Sequence, residues 1–321
     1  MHGNRFASTP GQSADIDRKL GLAIGSTECS SGILHRYHSE QETATDLAIE
    51  AIDMALTRGR ISIDEIDCLI AASGTMEQSI PYNAANIHAR LGTATPIPAF
   101  DVNMTCLSAL MALDLSATMI QSGQYRNILV VSSEIASVGI DWGDAETRGL
   151  FGDGAAAIVV SPTIEADMGV IASHFSTYSE GAEFCQIKGG GSTHHPSKVS
   201  GDYSDYGIFQ MRGRDAFRLT SRVIDGFIGE LITRARCGLD EIDWIVPHQA
   251  SRLALDHLRK HLEIPNHKII DILSNRGNQI AVSIPTALHE LLVSDKLKRG
   301  DRLLLVGTSA GLSLGGLVLQ V

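Results

Sequence analysis

The chain repeats itself, and the repeat restricts its architecture more than any other feature. Ile63-Asp-Glu-Ile-Asp-Cys-Leu-Ile70 returns as Leu239-Asp-Glu-Ile-Asp-Trp-Ile-Val246, and Ile128-Leu-Val-Val131 returns as Leu303-Leu-Leu-Val306. The offsets are 176 and 175 residues, so one alignment serves both matches. A third pair, Ala157-Ile-Val-Val160 and Gly316-Leu-Val-Leu319, closes each copy. Self-similarity at a fixed spacing marks a repeated structural unit. Each copy reads as helix, buried strand, loop, helix, strand, turn, strand. The strands are unbroken runs of β-branched residues and Leu, as expected of a sheet covered on both faces. The pattern predicts helices over 43–58, 84–91, 106–121, 215–236, 253–261 and 282–297, with Gly123, Gly238 and Gly300 marking helix ends. The expected division is 1–160 and 161–321. Within the second part, 161–214 has no clean counterpart and reads as a loop-rich insertion holding Gly189-Gly-Gly191 and His194-His195.

Under this duplication the helix opening at Cys106 maps onto the helix opening near Val282. A pseudo-twofold would bring the two helix starts together, and the junction of two halves is the default place for a ligand site. Cys106 follows the short strand and turn of Pro98-Ala-Phe-Asp-Val-Asn-Met-Thr. A helix N-terminus favours a thiolate, the form that attacks carbonyl carbon. The bland alternative is a packed core cysteine, because free Cys is among the most buried residue types. The second half offers His248, just past a buried strand in Val246-Pro-His248-Gln-Ala-Ser251, and Asn278, which leads into the Val282 helix. Taken singly, a histidine there could cap the sheet and an asparagine beside glycine could make a turn.

Composition narrows the class. With 44% apolar and 20% charged residues the chain is an ordinary globular protein, and a net charge of −11 argues against nucleic acid as a partner. Cysteines at 29, 68, 106, 185 and 237 show neither metal-ligand spacing nor a disulfide framework, which suits a reducing cytoplasm. No apolar run has the length of a membrane span, and residues 1–10 lack a signal core. Other motifs fail on their own chemistry. Gly307-Thr-Ser-Ala-Gly311 resembles a hydrolase nucleophile elbow, yet no Asp, Glu or His follows it. His257-Leu-Arg-Lys-His261 lacks the Glu of a zincin, and Gly189-Gly-Gly191 lacks the Lys of a phosphate loop.

With these residues assembled, the chain resembles the beta-ketoacyl-acyl-carrier-protein synthase III family of the thiolase superfamily. The matching motifs are Ala99-Phe-Asp-Val to Cys106, Leu150-Phe-Gly-Asp-Gly-Ala155, Asp243-Trp-Ile-Val-Pro-His-Gln-Ala250, and Gly277-Asn278 to Pro285. They run in the family's order from about Ala14 to the C-terminus. The resemblance implies an α/β thiolase-like fold, two duplicated halves in a five-layer α-β-α-β-α sandwich. It implies a decarboxylating condensation of an acyl-CoA primer with malonyl-acyl carrier protein. Cys106 would carry the acyl group, and His248 and Asn278 would hydrogen-bond the malonyl thioester. The backbone N–H groups of Cys106 and Ala310 would form the oxyanion hole. Ile80, Leu107, Arg36, Ser251, Thr308 and Gly311 would contact substrate, and Arg218, Arg252, Arg259 and Lys260 would face the acidic carrier protein.

The resemblance further implies a homodimer, in which the loop from Met76 to Pro81 enters the partner's acyl pocket. No metal, flavin or nicotinamide is implied. The family begins with a strand upstream of anything found here, so that strand is expected to be missing. Gly25 to Arg36 holds no Trp, leaving Arg36 as the expected contact for coenzyme A. Two other readings compete. One transfers acyl groups to other acceptors or joins two acyl chains, as relatives in secondary metabolism do. The other is a non-catalytic subunit, which the intact Cys, His and Asn set disfavours.

Overall fold

In the computed structural model, which describes residues 2–163, 165 and 168–321, the sequence repeat is a structural one. The first sheet runs His2–Phe6, Gly154–Val160, Ile128–Glu134, Cys68–Ala71, Ala99–Asp101, with only its last two pairings parallel. The second runs Gly169–Thr177, Ser313–Gln320, Arg302–Ser309, Trp244–Pro247, and there too the pairing with Trp244–Pro247 is parallel. Ile269 bridges Ile245 in parallel and stands where a fifth strand would be.

The repeated residues do the same work twice. Glu65 accepts the Ser62 N–H at 2.9 Å and Glu241 accepts the Gly238 N–H at 2.6 Å, each opening a short turn. One residue pair further on, Asp67 accepts the Asn127 N–H at 2.8 Å and Asp243 accepts the Arg302 N–H at 2.9 Å. These carboxylates tie the start of one strand to its parallel neighbour. The motif is therefore a register device as well as a turn.

Side-chain alternation along the strands builds the layers. Leu129 and Val131 face outward and are covered by the helix Ala44–Gly59. In the second sheet Leu304 and Val306 face outward under the helix Gly213–Ala235. The inward residues Ile128, Val130, Leu303 and Leu305 meet two central helices, Ser108–Gln121 and Ser283–Leu292. Ala112 packs on the first sheet while Leu110 and Leu113 join the core of the second, so one helix serves both. The order is helix, sheet, helix, sheet, helix.

Three expectations are corrected. Residues His2–Phe6 form the edge strand that was expected to be missing. Within the expected insertion, Gly169–Thr177 is its counterpart in the second sheet, and irregular chain begins only after it. The last central helix ends at Leu292 rather than at 297. Among the described residues no helix is long and apolar enough to cross a membrane.

Candidate active site

Two matching turns meet between the sheets. Thr105–Leu107 leads into the helix Ser108–Gln121, and Ile280–Val282 leads into Ser283–Leu292. Each is entered through an asparagine: Asn103 Oδ1 accepts the Thr105 N–H and Asn278 Oδ1 accepts the Ile280 N–H, both at 2.9 Å. Each is closed by a serine, Ser108 Oγ taking the Met104 N–H at 2.9 Å and Ser283 Oγ taking the Gln279 N–H at 3.0 Å. Each also forces a β-branched residue to positive φ, Thr105 at 47° and Ile280 at 49°. Such strain costs on the order of 1–3 kcal/mol and persists only where the surroundings fix it. The turns pack on each other, and each packs on the central strand of the opposite half.

Cys106 sits in the first turn, and Ala281 holds the same place in the second. Cys106 is thus not the first residue of the α-helix, which begins at Ser108. The surroundings of the half-buried sulfur also work against the expected thiolate. Burial, the Glu134 carboxylate and the Cys185 thiol together push the Cys106 thiol up to about 12. The N–H groups of Ala310 and of Cys106 itself bear on the sulfur and oppose that rise without cancelling it. Desolvation outweighs the helix end.

His248 follows the strand Trp244–Pro247 and donates its N–H to Val306 O at 2.8 Å. Its imidazole is buried and held neutral, with burial lowering its pKa to about 4. Gly307 explains its position. A Cβ there would lie 2.6 Å from His248 Cβ and 3.2 Å from Leu107 Cδ2, so only glycine lets the histidine and the Cys106 turn close over that strand. Asn278 is fixed by main chain on both sides, its N–H donating to Leu150 O at 2.8 Å and its carbonyl accepting the Gly152 N–H at 3.0 Å. Its side-chain amide donates to Ala250 O at 3.2 Å. With the oxygen engaged by Ile280, one amide hydrogen remains beyond these two bonds.

The remaining expected positions divide. Ala310 lies at the sulfur, and Gly311, at φ 124°, turns the chain between the last two strands. Thr308 pairs with Leu314 in that hairpin. Leu107 is wholly buried in the core between the sheets rather than lining an open pocket. Arg36 is also wholly buried, donating to Ser13 Oγ at 2.7 Å, with burial lowering its pKa to about 10. It cannot meet a ligand at the surface. Ser251 spends its hydroxyl capping the helix Arg252–Leu262, taking the Ala254 N–H at 3.2 Å. Ile80 is 86% exposed beside exposed Met76 and Tyr82.

The expected basic patch is weaker than its composition. Arg252 pairs with Asp271 at 2.6 and 3.2 Å, and Arg259 pairs with both Asp271 and Asp256. Their charges are balanced locally. Lys260 stays exposed, and Arg218 is exposed at 3.8 Å from Asp215.

Two groups near the sulfur were missed from sequence. Cys185, on the short strand Cys185–Gln186, lies in irregular chain that carries no periodic signal. Glu134 had one: a carboxylate three residues past the apolar run Ile128–Val131, at the end of the same strand.

Known proteins resemble this chain in sequence and in fold. Residues 232–321 match the family 3-oxoacyl-acyl-carrier-protein (ACP) synthase III, C terminal, and 100–179 match 3-oxoacyl-acyl-carrier-protein (ACP) synthase III. Residues 31–139 match the thiolase N-terminal domain. The chain is 34% identical over 291 residues to a beta-ketoacyl-acyl-carrier-protein synthase III of Clostridium perfringens, covering 91% of this chain and 89% of that one. It is 33% identical over 307 residues to the Neisseria gonorrhoeae protein of that name, covering 95% and 93%. The crystal structure of 3-oxoacyl-acyl-carrier-protein synthase III from Aquifex aeolicus superposes with a TM-score of 0.89 at 28% identity, covering 100% of this chain and 98% of that one. These likenesses show that the chain belongs to the beta-ketoacyl-acyl-carrier-protein synthase III family, condensing acyltransferases of the thiolase fold.

Proposed function

We propose that this enzyme condenses an acyl-CoA primer with malonyl-acyl carrier protein through an acyl-Cys106 intermediate. The reading is supported by the sulfur of Cys106 under two backbone N–H groups, in a turn that packs on the one Asn278 leads into, with His248 adjoining it across Gly307. In the first step the sulfur attacks the primer's thioester carbonyl. The N–H groups of Cys106 and Ala310 receive the oxyanion, and the thiol proton leaves with CoA. Donors aimed at charge that only develops during reaction lower the barrier without tightening the ground state.

In the second step His248 and Asn278 donate to the malonyl thioester oxygen. A neutral imidazole can donate there without burying a second charge. The bond to the departing CO₂ leaves its electron pair on the enolate, whose carbon attacks the acyl-Cys106 carbonyl. Cys106 leaves as thiolate and takes a proton from solvent, giving beta-ketoacyl carrier protein and CO₂, the CoA having left in the first step. In this reading the reaction is cytoplasmic and needs no metal or redox cofactor. Exposed Arg218 and Lys260 meet the carrier protein, and two copies pair so that the Ile80 loop of each enters the other's pocket.

Incubation with a panel of acyl-CoA thioesters, followed by peptide mass mapping, tests the reading. An acyl mass on Cys106, absent from Cys106→Ala, together with CO₂ release that needs malonyl carrier protein, is the expected result. Condensation by Cys106→Ala at the wild-type rate would overturn it.

A further inference from the structure

Glu134 ends the first half's central strand and is completely buried. Its carboxyl accepts the N–H of Gly74, the N–H of Thr75 at 3.0 Å and the Thr75 hydroxyl. The N–H of Ala281, in the turn from the other half, also bears on it. Gly74 shows how tight this junction is. A Cβ there would lie 2.7 Å from Ile280 Cγ2, 3.2 Å from the Thr105 carbonyl carbon and 3.3 Å from Glu134 Oε1. One carboxyl thus sits among the residue before Cys106, the residue before Ala281 and the loop after the strand Cys68–Ala71. The matching strand of the second half, Arg302–Ser309, ends in Ser309, so only one half carries this charge.

We propose that Glu134 is a positioning residue of the Cys106 centre, a carboxyl clamped between the halves whose charge governs when the Cys106 thiol becomes reactive. The inference rests on the reading of Cys106 as the acylated nucleophile. A fully buried carboxylate with several donors is a fixed electrostatic element, since low dielectric strengthens its action on neighbours. Three titratable groups face this centre: Glu134 and Cys185 act on the sulfur, and His248 adjoins it across Gly307. Burial and Glu146 hold the Cys185 thiol up at about 11, and burial holds His248 down at about 4. Neither changes charge near neutrality. Glu134 does, because burial raises it to about 7 against the donors that hold it down.

The consequence is a break in thiol reactivity with pH. While Glu134 is neutral, each step up in pH increases the Cys106 thiolate in proportion. As Glu134 ionises, its charge raises the cost of the thiolate, and reactivity levels off before climbing again.

Site-resolved alkylation of Cys106 by iodoacetamide, followed by peptide mass mapping from about pH 5 to pH 10, reads this directly. Wild type is expected to show the plateau, beginning in the neutral range. Glu134→Gln removes it and alkylates about tenfold faster at alkaline pH, the equivalent of one pKa unit. Thr75→Val, which takes one donor from the carboxylate, moves the plateau to higher pH. A purely structural role would lower stability and leave these profiles superposed, and superposed profiles overturn the proposal. Should Glu134→Gln fail to fold, wild type and Thr75→Val still decide. Alkylation uses no thioester, so a missing acyl adduct would sink the condensation reading while leaving the plateau to be judged on its own.

Discussion

Asn278 and Asn103 make the same bond, each accepting the N–H two residues ahead, yet only Asn278 is buried near a buried histidine. That separates a shared structural duty from a chemical one. Asn278→Asp keeps an oxygen for Ile280 but loses the amide donor. Acylation of Cys106 should persist, while decarboxylation of malonyl carrier protein should fall by about 10²–10³, as when one oxyanion donor is lost. Equal losses in acyl-adduct formation and CO₂ release would show that Asn278 holds the site together instead. Cys106, His248 and Asn278 were legible because each is a chemically distinctive residue at the end of a periodic segment. Arg36 was misread because the burial of a charge is decided by tertiary packing. Here a wholly buried guanidinium donates to Ser13 beside Asp17, a setting that no local pattern announces.

At the scale of elements, the strands and helices with an apolar signature were visible, and those without one were not. His2–Phe6 reads as polar chain, and its Gly3 is required because a Cβ would lie 2.1 Å from Ala51 O on the covering helix. Close approach removed the side chain that would have marked the strand. Gly169–Thr177 hid for a related reason: it is an edge strand of mostly small or polar residues. The loop from Met76 to Pro81 is the converse, since its apolar residues point outward. Ile80 is 86% exposed and Met76 54%, a patch that a lone chain has little reason to keep. If a second copy covers it, light scattering should give wild type the mass of two chains. Ile80→Asp should shift that equilibrium toward single chains, a buried charge being costly at an apolar contact. A wild type that scatters as one chain at working concentration would sink the pairing.

For the whole molecule, the repeat told where the two halves are alike, whereas their fastening depends on residues outside it. One such fastening joins three layers. His2 on the edge strand lies 2.9 Å from His289 on a central helix, Nδ1 to Nδ1, and Arg58, at the end of an outer helix, reaches the His289 ring at 3.1 and 3.2 Å. Arg276, itself paired with Glu290 at 3.2 Å, adds positive charge nearby. One imidazole must donate and the other accept, so the contact requires that they not both be protonated. Burial above all lowers both histidines from 6.5 to about 4, joined by His289 and Arg58 at His2 and by Arg58 and Arg276 at His289. In the unfolded chain they take up protons near their ordinary value, so between those two limits the unfolded state binds more protons than the folded one. The stability they contribute is therefore complete above about pH 6.5 and drains away as pH falls toward 4. Urea midpoints measured at neutral and mildly acid pH should fall for wild type and fall less for His289→Gln, which cannot be protonated in either state. The contrast between the two proteins isolates this cluster from His248, which drifts the same way in both. Parallel losses in the two would show that the layers are held at this corner by packing, with the histidines as bystanders.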